Sequence, residues 1–462
     1  MKYNLLLCRL IFVVILFMVL RDDTINQTML VPMDLRNLIP EDHPCYFIKN
    51  VVDQIDCSQA NRVFADKPGE FAYPRELLLR LILMSVFDGG LSSREIERKT
   101  RTDIAYMYLA GMQHPSYRTI ARFKVDYPDL IDESFKTTIK IAKEEDLVKI
   151  HHVSLDGTKI KAKTSMNKLT NEQQLKIMKQ HLKESIELDE EEDMELGEES
   201  EKDIISINDL NACFMKNKKG KWEFDYNGQI AVDDYKGIML ASYITNNPTD
   251  YYELISLMEQ VQSNLSEIYD ETPVNYQVRA DNGYSTDMNT EYLEQNGFDG
   301  YISSRKLSRE QKKYNLSDKP FAKDNFFYDN EMMTYIRPLG QPLYKISEYT
   351  YKNKSRISHW TKECKTCPMQ LFCSKGNRCR VIQDYGIPSK IRMQRKMETP
   401  EAKERYKIRS KTAERPFAHL KQNMHLTEFR TTGLQEVNTE LKLYTIGHNL
   451  KRIYNEISRK NN

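Results

Sequence analysis

Asp156 in VSLDGTKIKA (153–162) and Asp281 in YQVRADNGYST (276–286) are built alike: each closes a short strand-forming run and is followed, at once or one residue later, by glycine. In open α/β sheets the C-terminal ends of the strands are where ligands bind. A glycine there lets the backbone pass close to a substrate. Two carboxylates brought from neighbouring strands can share hard divalent cations such as Mg2+, which take oxygen ligands and keep waters for a phosphate. Asp-Gly and Asn-Gly are also routine turns, so the catalytic reading needs a third ligand. ERYKIRSKTAERPFAHLKQN (404–423) offers one. On a regular helix Tyr406, Glu414 and Lys421 fall within a sector of about 80°, with Arg409 beside them. A carboxylate for metal next to cations for phosphate makes chemical sense there. Pro416 interrupts the pattern: the helix either kinks or restarts near Ala413 and Glu414, and both carry Tyr406 and Arg409 out of the sector.

A second constellation is CKTCPMQLFCSKGNRC, with Cys364, Cys367, Cys373 and Cys379 in one short hydrophilic stretch that opens C-x-x-C. That spacing suits tetrahedral Zn2+ in a closed, structural site; the alternative is four unliganded thiols. His359 is a spare ligand or, more simply, a surface histidine. Lys362, Lys365, Lys375, Arg378 and Arg380 nearby are candidates for contact with DNA.

Elements must hold these residues. Residues 29–148 read as helical: PRELLLRLILMSVFDGG starts at Pro74, is apolar nearly all round and stops at Gly89 and Gly90. Ser92 with Glu95 three residues on makes a capping box. The turn and helix of HPSYRTIARFKVDY carry Arg118 and Arg122, in the manner of a helix-turn-helix that enters a major groove, although short helix pairs are common in ordinary bundles. From 149 the period changes to short β-rich runs, including a hairpin around DDYKG, with a helix at DYYELISLMEQV. The fold expected is α/β: a mixed sheet with flanking helices (149–325, with an acidic loop at 184–203), preceded by an all-α domain, interrupted by a Cys-rich β/turn insertion (326–398) and closed by helices (399–462).

The net charge of +1 conceals opposites. Residues 184–203 hold twelve acidic residues against one lysine, which leaves the remainder at +12, and 390–462 carry seventeen Lys and Arg against eight Asp and Glu. Such a basic excess suits a polyanion, unless the acidic block balances it in space. LLLCRLIFVVILFMVL (5–20) is shorter than the roughly 20 apolar residues of a spanning helix, and it holds Arg9 and lacks a cleavage site. The expectation is that 1–28 is a leader upstream of a true start near Met29. With eight cysteines and no small secreted framework, a cytoplasmic protein is expected.

SLDGTKIKA, ADNGYST and YKIRSKTAERPFAHLK, in this order, resemble the three acidic motifs of insertion-sequence DDE transposases such as the IS-four-like group. FAYPRELLLRLILMSVFDGGLSSREIERKT, YNGQIAVDD and GLQEVNTELKLYTIGHNLKRI are similar to the flanking sequence of that family. The resemblance implies an RNase H-like catalytic domain with Asp156, Asp281 and Glu414 as catalytic Mg2+ (or Mn2+) ligands, Tyr406, Arg409 and Lys421 on DNA phosphate, and Asp233 in reserve. Arg409 stands one residue further from the glutamate than in the family motif. The implied partners are double-stranded DNA, namely element ends and target, and a second subunit; no small-molecule substrate is implied. A nuclease on the same fold, and a zinc-containing DNA-binding regulator without catalysis, are the alternatives.

Overall fold

The computed structural model describes residues 34–65, 72–164, 209–216, 220–303, 321, 326–329, 331–351, 354–374 and 379–461. The apolar leader, the acidic loop 184–203, Lys375 and Arg378 lie outside them. Contacts divide the chain into 1–41, of which a 3-10 turn at Leu35–Leu38 is described, and 42–462.

The larger unit opens with helices α1 (Pro44–Val52), α2 (Ser58–Ala65), α3 (Arg75–Phe87), α4 (Ser93–Thr102), α5 (Ile104–Leu109), α6 (Tyr117–Asp126) and α7 (Pro128–Glu144). The all-round apolar α3 is buried along nearly its whole length, and the chain leaves it through Gly89 and Gly90 at φ +106° and +84°. These are values that favour glycine. At the start of α4 the Ser92 hydroxyl accepts from the Glu95 amide while the Glu95 carboxylate accepts from the Ser92 amide at 2.8 Å, the reciprocal bonds of a capping box. Arg118 and Arg122 project from α6 into solvent.

A mixed sheet follows: β1 (His152–Lys161), β2 (Cys213–Lys216), β3 (Trp222–Asp233), β4 (Met239–Thr245), β5 (Gln277–Ala280) and β6 (Asp299–Ile302). Long β3 pairs antiparallel with β1 on one side and with β2 and β4 on the other, while β5 and β6 run parallel beyond β1. The chain is thus a mixed α/β protein. Helix α8 (Glu253–Ser266) connects β4 to β5, and α9 (Asp287–Gln295) connects β5 to β6. β1 is central and buried on both faces, as its Val, Leu and Ile require.

One expectation changes here. Asp156 lies in the middle of β1, opposite Ile230 of β3, and not at a strand end. Gly157 is therefore no turn residue. It faces Gln229 across the ladder, and a Cβ there would lie 2.5 Å from Asp250 Oδ1 and 2.6 Å from Gln229 Nε2. The glycine is used for close approach, with the strand continuing through it.

A second sheet is an antiparallel meander of β7 (Phe327–Asp329), β8 (Thr334–Ile336), β9 (Pro342–Tyr351), β10 (Lys354–Trp360) and β11 (Ile382–Gly386). Its core holds Phe326, Tyr328, Tyr335, Leu343 and Ile382. His359 is only 1% exposed and lies edge-on to the rings of Tyr328 and Tyr335. It is a core histidine, contrary to the surface placement expected, because it shares the inward face of β10 with Ile357 and stands opposite Ile382 of the core.

Helices α10 (Pro388–Glu398), α11 (Pro400–Thr412), α12 (Glu414–Ala418) and α13 (Leu434–Asn461) complete the chain, with a π-helical turn at His419–Asn423. α13 and α8 cover the edge of β4. The Ser242 and Ile244 amides donate to Gln260 Oε1 and Asn438 Oδ1, Asn449 both donates to and accepts from Met239, and Asn264 donates to the Leu240 carbonyl. Among the described residues no helix is long and apolar enough to cross a membrane.

Candidate active site

On one face of β1, Ser154, Asp156 and Thr158 alternate with residues of the other face. The C-terminal segment lies across all three. The Ser154 hydroxyl meets Thr412 Oγ1 at 3.1 Å, Arg409 Nη2 donates to Asp156 Oδ1 at 2.8 Å, and Lys421 Nζ donates to Thr158 Oγ1 at 2.7 Å and to the Lys159 carbonyl at 2.8 Å. Two motifs more than 250 residues apart are thereby joined.

The Arg409–Asp156 pair is deeply placed, with Arg409 7% and Asp156 4% exposed. Burial works against the guanidinium charge, but Asp156, supported by Tyr406 and Asp281, outweighs it and holds Arg409 above its ordinary range. Tyr406 is also buried; desolvation raises its phenol, with Asp281 adding to the rise and Arg409 opposing it. Asp156, Asp281, Tyr406 and Arg409 thus share one electrostatic neighbourhood.

Asp281 follows β5 directly and caps a 3-10 turn, its Oδ1 accepting from the Gly283 amide at 2.8 Å. This is the strand-end position the sequence indicated. The turn is braced from the other face of β1 by a polar network that sequence reading did not find. Asp250, in the loop before α8, accepts from Asn227 Nδ2 and Gln229 Nε2, each at 2.7 Å, and Gln229 Oε1 accepts from the Tyr284 hydroxyl. A Cβ on Gly283 would stand 3.0 Å from Asp281 Oδ1 and 3.3 Å from Asp250 Oδ2. Tyr284 is completely buried, and burial followed by Asp250, Asp281 and Asp156 drives its phenol well above the ordinary range. The signal in the sequence was slight: Asp250 sits in TNNPTDYYEL, where Asn, Pro and Asp read as loop.

The final motif departs from a single helical face. The helix stops at Ala413 and restarts at Glu414, which puts Pro416 in the first turn of α12, where its missing amide costs little. The π-helical turn then redirects Lys421. Arg409 and Lys421 consequently meet the same face of β1 from different segments, while Glu414 is exposed at the start of α12. Asp233 is engaged elsewhere: its carboxylate accepts from the amides of Lys149, Ile150 and Tyr235 at 2.7 to 3.0 Å, fastening the turn after β3 to the entrance of β1.

The donor set around Asp156 and Asp281 is oxygen only, which fits Mg2+ or Mn2+ by ligand chemistry. Among the described residues, no group of three or more His, Cys, Asp or Glu side chains is arranged to hold an ion. Of the cysteines, Cys364 is buried and lines a small apolar cavity with Cys367 and Cys373. Burial raises the Cys379 thiol, with the neighbouring Cys364 second, so the fourth thiol stands beside the first.

Two family models match the chain. One described as a transposase domain (DUF772) covers residues 33–126, and one described as a transposase DDE domain covers residues 338–454. The chain is accordingly a DNA transposase. Its C-terminal match, which includes Tyr406, Arg409, Glu414 and Lys421, makes it one of the DDE type. No curated protein matches it significantly. Among solved structures it is similar to one titled as the piggyBac transposase synaptic complex with hairpin DNA, at 8% identity and a TM-score of 0.33, over 92% of this chain and 77% of that one. Similarity at that level does not bear on the fold.

Proposed function

We propose that this transposase cuts the ends of its element in a metal-dependent reaction and joins them to target DNA, with Asp156, Asp281 and Glu414 as its acidic triad. The observation that carries the reading is the clasp of Arg409 on Asp156 beside Asp281 and Tyr406, which unites the first, second and third motifs around one face of β1. The strand order β4-β3-β1-β5-β6, antiparallel on one side of β1 and parallel on the other, supports an RNase H-like catalytic domain. The division into helical domain, catalytic domain and Cys-rich insertion is part of the same proposal.

When bound, Mg2+ or Mn2+ supplies Lewis acidity to the attacking and leaving oxygens of a phosphodiester. Asp156 and Asp281 would hold it, with Glu414 reaching in from the start of α12. Arg409 donates to Asp156 and orients one of its oxygens. Lys421, two residues further along the same face of β1, gives a cation about 7 Å away for the flanking phosphate. Tyr406 holds Arg409 on its other side. Exposed Arg118 and Arg122 on α6 would grip duplex DNA away from the cut. The four thiols would take a structural Zn2+, and pairing two ends would need a second subunit, in the cytoplasm.

The test is cleavage of duplex DNA carrying the element's ends, started from Met29 and compared with Asp156→Ala, Asp281→Ala and Glu414→Ala. Loss of cutting with retained DNA binding in all three supports the triad; cutting by Asp156→Ala at the parent's rate overturns it. Joining of 3′ ends to a second DNA separates transposition from simple hydrolysis.

A further inference from the structure

The outward face of the second sheet carries three residues in direct cross-strand register. Tyr349 of β9 stands opposite Arg356 of β10, and Arg356 stands opposite Tyr385 of β11. The opposite face of these strands supplies the buried core, so the three point the other way. Tyr349 is 66% exposed and Tyr385 58% exposed, and the Arg356 guanidinium lies 5.9 Å from the centre of the Tyr385 ring. With strands about 4.8 Å apart, the two rings flank the cation across roughly 10 Å. Aromatic side chains this open forgo the burial that ordinarily stabilises a sheet.

The charge around them is one-sided. Ser347, Ser358 and Gln383 continue the face in one direction and Lys354 in the other, with no carboxylate among them. Residues 342–360 carry four Lys and Arg against one Glu. Lys354 and Lys390 both pair with Asp287, at 3.7 and 3.2 Å, which ties this corner of the sheet to the start of α9, six residues beyond Asp281. The face therefore borders the segment that carries the second acidic motif.

We infer that Tyr349, Arg356 and Tyr385 form a stacking platform for unpaired bases of a DNA strand, with Lys354 and Arg356 on its phosphates. Every base has a π-face, so rings in this arrangement bind single strands with little regard to sequence, and an intervening guanidinium serves both stacking and charge. Duplex DNA hides its base faces and gains little from the platform. The inference rests on the transposase reading, because DNA opened at a cut end is what would present such bases beside Asp281.

The experiment measures binding of the full chain to a fluorescein-labelled single-stranded dT20 and to a duplex bearing the element's end. The double variant Tyr349→Ser/Tyr385→Ser is expected to bind dT20 about ten-fold or more weakly while its duplex affinity stays within about two-fold. Tyr349→Phe/Tyr385→Phe, which keeps both rings, is expected to restore dT20 binding. Parent-like dT20 affinity in the Ser variant overturns the platform, as does unchanged DNA binding with an altered sedimentation coefficient, which makes the face a contact between copies. If the parent binds the duplex but not dT20, the platform alone falls. If it binds neither, the proposed function falls with it.

Discussion

Replacing Arg409 by leucine takes the guanidinium away from Asp156, a carboxylate that is 4% exposed. The 2.8 Å bond to Asp156 is the strong contact; the second, from Nε to the Leu155 carbonyl at 3.3 Å, is long and contributes little. Breaking one side of a buried ion pair costs about 3–5 kcal/mol, most of it the penalty of the stranded charge. Arg409→Leu is therefore expected to lose about 3–5 kcal/mol in urea unfolding at neutral pH. Adding Asp156→Asn should return about 1–3 kcal/mol of the loss, since the second substitution removes the buried charge that Arg409 faced. Millimolar Mg2+ should stabilise Arg409→Leu more than the parent, because a bound cation supplies the charge the arginine supplied, and should do little for the double variant. A loss below about 1 kcal/mol, or strictly additive single and double variants, would refute the reasoning.

Gly157→Ala pushes a methyl into Asp250 and Gln229, and overpacking of this kind costs about 1–3 kcal/mol; urea midpoints should fall and DNA cleavage should drop through disturbance of the Asp281 turn, and a parent-like variant would show that Asp250 is not fixed there. The Asp225 carboxyl is pushed up to about 6, first by burial and then by Glu223, against the opposing pull of Lys159, Lys421 and Lys161. The folded state thus holds this proton more tightly than the unfolded chain, so its contribution is full below about pH 4 and is lost as pH rises to about 6. Asp225→Asn should abolish that slope in unfolding measured from pH 4 to 7. Metal analysis of the purified chain should find one zinc per chain, and Cys364→Ser or prolonged chelation should remove it and lower the stability of the second sheet; absence of zinc from protein prepared with zinc present would remove the metal from that cluster.

What the sequence disclosed well were features set by near neighbours. The all-round apolar α3, the Ser92–Glu95 capping box, the hairpin at DDYKG and the place of Asp281 after a strand all follow from residues within a few positions of one another. The ordered motifs pointed to the clasp of β1 by the C-terminal segment, and the break at Ala413 agrees with Pro416. Asp156 was harder, since a glycine after an aspartate looks like a turn whether the strand ends or continues; only the ladder to β3 and the approach of Asp250 decide it. The network of Asp250, Gln229 and Tyr284 joins residues 21 and 55 positions apart, and no local pattern encodes such contacts. The inward place of His359 likewise depends on which face of β10 meets the core, and that is decided by its pairing with Ile382 of a distant strand.

The four amide side chains along β4 have a bearing on how two copies could meet. An uncovered edge strand is a template on which a second sheet can grow, and it offers two-fold related subunits an easy route to a continuous sheet. Here Asn438 and Asn449 from α13, with Gln260 and Asn264 from α8, occupy the hydrogen-bonding positions that a visiting strand would need. A second copy of the chain is thereby kept from extending the sheet along β4, and the ladder that carries Asp156 is closed on that border.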